Sequence, residues 1–279
     1  MKITFIDKNK SLVSKVRKAV KYFPEKIIVK CGEIFEEEGV IVSASNPMFT
    51  FGGGLDALIA EKYPKECKEA QKTEGMKRIR NVIFTITVGK DYKATRELVG
   101  NALKFALENT KEDENVLISG LGTGIGGLDE DEFVYLFLVA LSEHFRYGWG
   151  IKFTKKNGSD FRTGKVFYKP GNELIQIGAK KDGADCGVGL HLGKSFIGAG
   201  NYNTPDKILF CIFDKKYMCG EGNDKIRVSK LFTVTELPQW LGYGPNGNKV
   251  VGKIGKSFNP EDYNPYQATK IPSKQSIKN

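Results

Sequence analysis

Short β-branched runs alternate with amphipathic helical segments along the first half of the chain, and this alternation constrains the fold more than any other feature. Strands are predicted at Ile3–Ile6, Asn81–Val88 and Asn115–Ser119, among others. Apolar residues with helical spacing lie between the strands, as in Leu12–Phe23 and Thr95–Leu107. Such alternation predicts an α/β sheet that helices cover on both faces.

The character of the sequence changes near Tyr147–Gly150, after which the apolar segments are short and separated by turns. We therefore predict three parts. Residues 1–148 form the α/β domain, and residues 149–241 form a smaller, β-rich (α+β) domain of unknown role. Residues 242–279 are rich in Gly, Pro, Asn and Lys, and we expect an extended or flexible tail there.

The charge balance favours anionic partners. The chain has 43 Lys and Arg against 33 Asp and Glu, a net charge of +10. A lysine-rich solvated coat is the alternative explanation. Basic stretches at Lys15–Lys21, Lys77–Arg80, Lys152–Lys156 and Lys249–Lys256 are separated by many acidic residues. Solvated faces and a nucleic-acid partner therefore both stay open.

Several classes of protein do not fit this composition. No apolar run approaches the roughly 20 residues that a membrane helix needs, so we expect no membrane partner. The five cysteines are scattered, with no C-x-x-C pair, as expected for free thiols in the cytoplasm. The two histidines, His144 and His191, are far apart in sequence, which argues against a metal site built from several histidines.

Two glycine loops, each directly after a buried strand, are the clearest functional signal. The first leads from Val40–Ser43 through Asn46 and Gly52–Gly54 into a helix. The second, Gly120–Gly127, has five glycines in eight positions and leads into a helix near Asp131. Backbone N–H groups of glycine-rich turns at helix N-termini bind anions, and ligands of α/β sheets lie at the carboxyl ends of strands. Two such loops are suited to grip a diphosphate, although either loop alone is also explained as a tight turn.

These loops carry a family resemblance. Gly39–Ile59 and Leu117–Leu128 resemble the two ligand loops of macro domains, the modules that bind ADP-ribose. The order, spacing and flanking strands match across residues 1–148. The resemblance implies a three-layer α/β/α domain with a mixed sheet. It also implies ADP-ribose or a related nucleotide as the ligand, an ADP-ribosylated target as the partner, and no required cofactor or metal.

The resemblance further implies which residues contact the ligand. Gly52–Gly54 and Gly122–Gly126 hold the diphosphate and the distal ribose, and Asn46 hydrogen-bonds that ribose. Glu33 stands where the family usually has an aspartate that contacts adenine, and Ser43 stands where many hydrolases have an asparagine. The full set implied at the ligand is Gly32, Glu33, Ile34, Ser45, Asn46, Gly52, Gly53, Gly54, Leu55, Ser119, Gly120, Gly122, Thr123, Gly124, Ile125 and Gly126.

The catalytic candidates are Asn46 and Asp56. In hydrolytic macro domains the acidic residue after the first glycine run helps to position or activate water, and here that residue is Asp56. A carboxylate near a bound ribose can act as a general base toward the anomeric carbon. Alternatively, Asp56 complements the dipole of the helix that it begins, and Asn46 forms an Asn-Pro turn. The sequence thus predicts a hydrolase that removes ADP-ribose from a protein, nucleic acid or small molecule, with a non-catalytic reader of ADP-ribose or another NAD-derived nucleotide as the alternative.

The second half offers weaker candidates. Its segment from Asp185 to Tyr202 faintly resembles the nicotinamide-pocket strand of poly(ADP-ribose) polymerase-like transferases. That resemblance implies site roles for His191 and for Tyr202, which would stack on an aromatic ring. An unrelated β-domain, with His191 as a hydrogen-bonded core residue, is the alternative.

Overall fold

A computed structural model describes residues 1–200 and 205–242 of the chain. Tyr202 and nearly all of the predicted tail, residues 242–279, therefore lie outside the described residues. The described chain separates into two compact units. The first comprises Met1–Lys18 and Phe23–His144, and the second comprises Ala19–Tyr22 with the described residues from Phe145 onward.

The first unit is built on a six-stranded mixed sheet. Its strands are β1 (Lys2–Asp7), β2 (Ile27–Cys31), β3 (Val40–Val42), β4 (Lys77–Ile79), β5 (Val82–Phe84) and β6 (Asn115–Ile118). They lie in the order β2-β1-β6-β3-β5-β4. Every neighbouring pair is parallel except β4 with β5, which is antiparallel.

Helices cover both faces of this sheet, as the alternation predicted. They are α1 (Lys10–Val20), α2 (Gly54–Lys62), α3 (Pro64–Ala70), α4 (Arg96–Glu108) and α5 (Glu130–His144). Successive residues of a strand point to opposite faces. Accordingly, Ile6 joins the core cluster that contains Ile59 of α2 and Cys67 of α3, whereas the Phe5 ring lies 5.9 Å from that of Phe137 in α5. Two apolar layers therefore hold the three-layer unit together.

The predicted strand Asn81–Val88 is shorter than expected. Regular pairing ends at Phe84, and only isolated bridges continue it, from Ile86 to Ser45 and from Val88 to Ala94. The neighbouring strand β3 itself ends at Val42. Backbone hydrogen bonds still join the two segments beyond these ends, from the Ser45 N–H to the Thr85 carbonyl (3.0 Å) and from the Thr87 N–H to the Ser45 carbonyl (2.9 Å).

The second unit is β-rich, as expected. Its strands are β7 (Tyr147–Thr154), β8 (Glu173–Ile175), β9 (Leu190–Gly193), β10 (Lys207–Asp214), β11 (Met218–Glu221), β12 (Lys225–Val228) and β13 (Lys230–Leu237), with the short helix α6 (Phe196–Gly200). They form an antiparallel sheet in the order β11-β12-β9-β7-β10-β13-β8.

The boundary predicted between residues 148 and 149 falls inside β7, because the glycines of Tyr147–Gly150 belong to a strand and not to a linker. A Cβ atom on Gly148 would lie 2.3 Å from the Phe213 ring, and one on Gly150 would lie 2.7 Å from Leu192 Cβ. Glycine within a strand commonly marks such close approach of neighbouring groups.

Candidate functional site

A cavity of about 810 Å³ lies at the carboxyl edge of the first sheet. Its wall is formed by the segments that follow β1, β2, β3, β5 and β6, since these five strands are parallel and end at the same edge. Strands lie about 4.8 Å apart, so the four spacings from β2 to β5 span roughly 19 Å. The volume is within the range of small-molecule sites, about 300–1,000 Å³.

The first glycine loop is anchored by aromatic side chains. Phe49 and Phe51 adopt the left-handed conformation, with φ of 48° and 52°, which is unfavourable for bulky residues. Both rings are buried and pack at about 6 Å from the ring of Phe84 on β5. Their burial offsets the backbone strain and fixes Gly52–Gly54, which opens α2, at the rim of the cavity.

The second glycine loop is shaped by three positions without room for a side chain, Gly120, Gly122 and Gly126. A Cβ atom on Gly122 would lie 2.8 Å from Val99 Cγ2. A Cβ atom on Gly120 would lie 2.3 Å from Leu12 Cδ2, and one on Gly126 would lie 2.7 Å from the Gly122 carbonyl oxygen. Gly124 differs, because a Cβ atom there would meet nothing within 4 Å. Thr123 turns its hydroxyl inward and donates a 2.7 Å hydrogen bond to the Gly120 carbonyl. The loop is therefore packed at its base and open at its tip.

The two loops meet across the cavity at Ile125. This side chain is 71% exposed, yet a Cβ atom on Gly53 would lie only 3.0 Å from its Cδ1 atom. An exposed isoleucine at this position is suited to cover a ligand held between the loops.

Several backbone N–H groups of each loop have no acceptor among the described residues. Gly54, Leu55 and Asp56 occupy the first turn of α2, where N–H groups have no partner within the helix. Across the cavity, the described structure gives no acceptor to the N–H groups of Gly124–Gly126. Lys8 is the only cationic side chain among the described residues of the wall. An anion bound between the loops would therefore be held mainly by backbone amides.

The structure places Asp56 in the wall, 6% exposed. Its Oδ1 atom accepts a 3.1 Å hydrogen bond from the Ala44 N–H, and its Oδ2 atom accepts one from the Ser45 hydroxyl. Burial raises the pKa of Asp56 above its usual value, and the hydrogen bonds from Ser45 and Ala44 oppose that rise. The carboxyl group thus ties α2 to the end of β3.

Ser45 was predicted to contact the ligand, and the structure directs its side chain away from the cavity. The residue is 1% exposed and is not part of the cavity wall. Its hydroxyl points instead to Asp56 and lies 3.1 Å from the Ser43 hydroxyl. Ser43, in the position where many hydrolases have asparagine, is likewise fully buried.

Asn46 lies in the wall, but its own loop uses much of its amide group. Its Nδ2 atom donates a 2.6 Å hydrogen bond to Thr50 Oγ1, and its Oδ1 atom accepts from the N–H groups of Met48 and Thr50. These contacts are those of a turn-forming asparagine.

The β1–β2 end of the cavity carries three charged side chains. Asp7 accepts a 2.9 Å hydrogen bond from the Gly120 N–H and so supports the second loop. Glu33, the expected adenine contact, forms a 2.5 Å ion pair with Lys8, and both side chains are substantially exposed. Gly32 and Ile34 lie beside them in the wall.

The structure brings all the other predicted ligand residues of the first unit to the same wall. Sequence reasoning missed part of this wall. The missed residues are Ile6, Asp7, Lys8, Asn9, Ala44, Thr50, Phe51, Leu58, Thr87, Val88 and Tyr92. Asp7 ends β1, Lys8 and Asn9 follow it, and Thr87 lies three residues after β5, so the rule that ligands lie at the carboxyl ends of strands was a signal that pointed to them.

In the second unit, His191 lies on β9 opposite Arg227 of β12. The pKa of His191 is lowered to about 4, so its imidazole is neutral at pH 7. The largest cause is burial, and the positive charges of Lys152 and Lys225 add to it. Among the described residues, no group of three or more His, Cys, Asp or Glu side chains is arranged to hold a metal ion.

Several basic side chains are engaged within the protein. Lys15 pairs with Asp131, Arg78 with Glu114 and Arg80 with Glu66. The stretch Lys249–Lys256 lies outside the described residues. Across residues 1–200 and 205–242, no helix has the length and apolar character needed to span a membrane.

Comparison with known proteins adds little to this description. No protein-family model matches the chain, and no curated protein matches it. Among solved structures, the chain is similar to the macrodomain of Mycobacterium tuberculosis DarG, with 18% sequence identity and a TM-score of 0.35. That match covers 41% of this chain and 88% of the other. Because the identity and the TM-score are low, this match says nothing about the site or its ligand. Both are inferred from the geometry of this chain alone.

Proposed function

We propose that residues 1–148 form a macro-domain-like module that binds ADP-ribose. The observation that carries this proposal is the pair of facing backbone donor sets, one in the first turn of α2 and one at Gly124–Gly126. Amide donors at a helix N-terminus and in a glycine-rich loop favour phosphate, and two opposed sets fit two linked phosphates.

The shape and charge of the cavity support a nucleotide of this kind. A span of roughly 19 Å with the donor sets near its middle leaves room for a nucleoside at one end and a sugar at the other. The net charge of +10 favours approach of an anionic ligand. Binding through amides needs no metal ion or other cofactor.

Hydrolysis of an ADP-ribose linkage is the catalytic form of this proposal. Asp56 would act as general base, since its pKa is raised and its carboxyl group borders the cavity. A reader function is the second candidate, because Ala44, Ser45 and Thr50 already engage the polar groups of Asp56 and Asn46. The geometry favours binding as the shared and better-supported activity.

The targets we propose are ADP-ribosylated proteins, nucleic acids or small molecules. We also propose a cytoplasmic location, because the five cysteines are free thiols, as expected in a reducing compartment.

Calorimetric titration of ADP-ribose tests the binding proposal. We expect micromolar affinity for the wild-type protein and loss of binding in Gly124→Glu. The position has open space and no positive φ, so the variant should fold while its side chain enters the cavity and repels phosphate. Gly124→Gln matches the size without the charge, and Gly124→Ala controls for the loss of glycine. Failure of the wild-type protein to bind ADP-ribose would contradict the proposal.

Turnover of ADP-ribosylated substrates separates the hydrolase from the reader. A hydrolase should release ADP-ribose, and Asp56→Asn should abolish release while ADP-ribose binding persists. A reader should bind the modified substrates without releasing ADP-ribose. Release that is unchanged in Asp56→Asn would contradict the role of general base.

A further inference from the structure

Tyr92 lines the cavity with a ring that the protein itself does not use. The side chain is 53% exposed, and among the described residues it has no hydrogen-bond, ion-pair or ring partner. Its backbone is left-handed, with φ of 60°, which is unfavourable for a bulky residue. Phe49 and Phe51 share this conformation, but burial of their rings offsets the strain. Strain that no burial offsets is typical of residues that contact a ligand, so Tyr92 points to a partner in the cavity.

A tight turn holds Tyr92 in place. The turn begins at Val88 and ends at Ala94, which are joined by a bridge. Within it, the Tyr92 N–H donates a 3.0 Å hydrogen bond to the Gly89 carbonyl. The Ala94 N–H donates a 2.9 Å hydrogen bond to the Gly126 carbonyl and so ties the turn to the second glycine loop. The ring is therefore presented on a fixed support beside that loop.

The exposed apolar side chains of the first unit gather around this cavity. Every residue of this unit is described, and its exposed large apolar side chains are Met48, Leu58, Tyr92 and Ile125. Three of them line the cavity, and Met48 follows the wall residue Asn46 by two positions. Exposed apolar side chains in one place mark an interaction site. Tyr92 is the aromatic member of this set, and aromatic side chains gain from stacking on another flat ring.

The position of Tyr92 indicates which part of a ligand it meets. The turn follows β5, whereas Glu33 follows β2, four strand positions away. If the adenine lies near Glu33 and the diphosphate lies between the glycine loops, the second sugar points toward the β5 end. A group attached to that sugar then lies nearest to Tyr92.

We propose that Tyr92 is a specificity-determining residue that stacks on a flat aromatic ring attached to the second sugar of the bound nucleotide. The ligand class is therefore an ADP-ribose that carries such a ring, either the nicotinamide of a free dinucleotide or a modified nucleobase. This inference rests on the proposed function, because it takes ADP-ribose as the core of the ligand, and it adds the chemistry of the group that the second sugar carries.

The test compares ADP-ribose with benzamide adenine dinucleotide in calorimetric titrations. This analogue of NAD⁺ carries an uncharged flat ring on the second sugar through a carbon–carbon bond, so it cannot be hydrolysed there. We expect the wild-type protein to bind it about threefold to tenfold more tightly than ADP-ribose, the effect of one stacked ring pair.

Two variants isolate the ring of Tyr92. Tyr92→Leu keeps an apolar side chain without a ring face, and it should remove the gain while leaving ADP-ribose binding unchanged. Tyr92→Phe keeps the ring and should keep the gain. Without ligand, both variants should unfold at the temperature of the wild-type protein, because the ring is exposed. Titrations of NAD⁺ and of an oligonucleotide ADP-ribosylated on a base then distinguish the two sources, since the one that shows the Tyr92-dependent gain carries the recognised ring.

The possible outcomes separate this inference from the proposed function. Equal affinities of the wild-type protein for ADP-ribose and the analogue, or a gain that persists in Tyr92→Leu, overturn the inference and leave the proposed function intact. Equal weakening of both ligands in Tyr92→Leu, or a lowered unfolding temperature, indicates a structural role and also overturns the inference. If the wild-type protein does not bind ADP-ribose, both proposals fail.

Discussion

Substitution of Gly120 by alanine should destabilise the first unit, whereas the same substitution at Gly124 should not. A Cβ atom at position 120 would lie 2.3 Å from Leu12 Cδ2, well inside the roughly 3.5–4.0 Å at which carbon atoms pack best. Leu12 is fully buried and cannot turn into solvent. The same Cβ atom would lie 2.6 Å from Thr123 Oγ1, and moving that hydroxyl away would break its hydrogen bond to the Gly120 carbonyl.

Overpacking of this kind costs about 1–3 kcal/mol, and loss of the Thr123 hydrogen bond adds about 0.5–1.5 kcal/mol. We therefore expect Gly120→Ala to lower the free energy of unfolding by about 2–4 kcal/mol. At Gly124 the added methyl group meets nothing within 4 Å, so the change should be within about 0.5 kcal/mol.

Urea titration followed by far-UV circular dichroism measures both variants, because most of the described helices lie in the first unit. The two tryptophans, Trp149 and Trp240, lie in the second unit, so their fluorescence provides a separate probe of that unit. Equal midpoints for Gly120→Ala and Gly124→Ala by circular dichroism would refute the reasoning, because the two substitutions differ only in the space available to the methyl group.

Two further predictions concern buried charge. The folded chain holds the proton of Asp56 to a higher pH than the unfolded chain, since burial raises the pKa of this carboxyl group. The contribution of Asp56 to stability should thus fall as the pH rises from the ordinary value of 3.8 through the raised value, and Asp56→Asn should gain stability relative to the wild-type protein across that window in urea titrations. A difference that does not vary with pH would be contrary evidence. Arg96 and Glu132 form a buried ion pair at 2.9 Å, so Arg96→Met should cost about 3–5 kcal/mol by leaving Glu132 unpaired. Adding Glu132→Leu should recover most of the loss in thermal unfolding, and a double variant as unstable as the single one would count against this account.

The placement of the two glycine loops could be predicted because it depends on local order. A buried strand followed by glycines and a helix brings a loop to the carboxyl edge of a parallel sheet, whatever the order of the strands. The direction of individual side chains could not be predicted in this way. Ser45 and Asn46 are neighbours in sequence, but their side chains point in different directions. The Ser45 hydroxyl donates to Asp56 of α2, whereas the Asn46 side chain lies in the cavity wall, because α2 packs against only one side of the strand end.

Elements with weak local signals were missed or misplaced. Helix α3 has seven residues and only Cys67 and Ala70 as its buried side chains, too few for an apolar period. Strand β7 contains two glycines, Gly148 and Gly150, between which the domain boundary was predicted, although Phe213 and Leu192 fill the space above them. The strand-end residues Asp7–Asn9 and Thr87 form no motif, so only the strand order shows that they share one cavity.

The central claim is that backbone amides of both glycine loops hold the diphosphate of ADP-ribose. Nuclear magnetic resonance with selective ¹⁵N-glycine labelling tests it most directly, since each of the two donor sets contains glycine amides, Gly54 in the first and Gly124 and Gly126 in the second. On addition of ADP-ribose, the account predicts large shifts at Gly52–Gly54 and at Gly122–Gly126, and no large shift at Gly75, which lies outside the cavity wall. Binding that leaves these two sets of glycine amides unshifted would contradict the account.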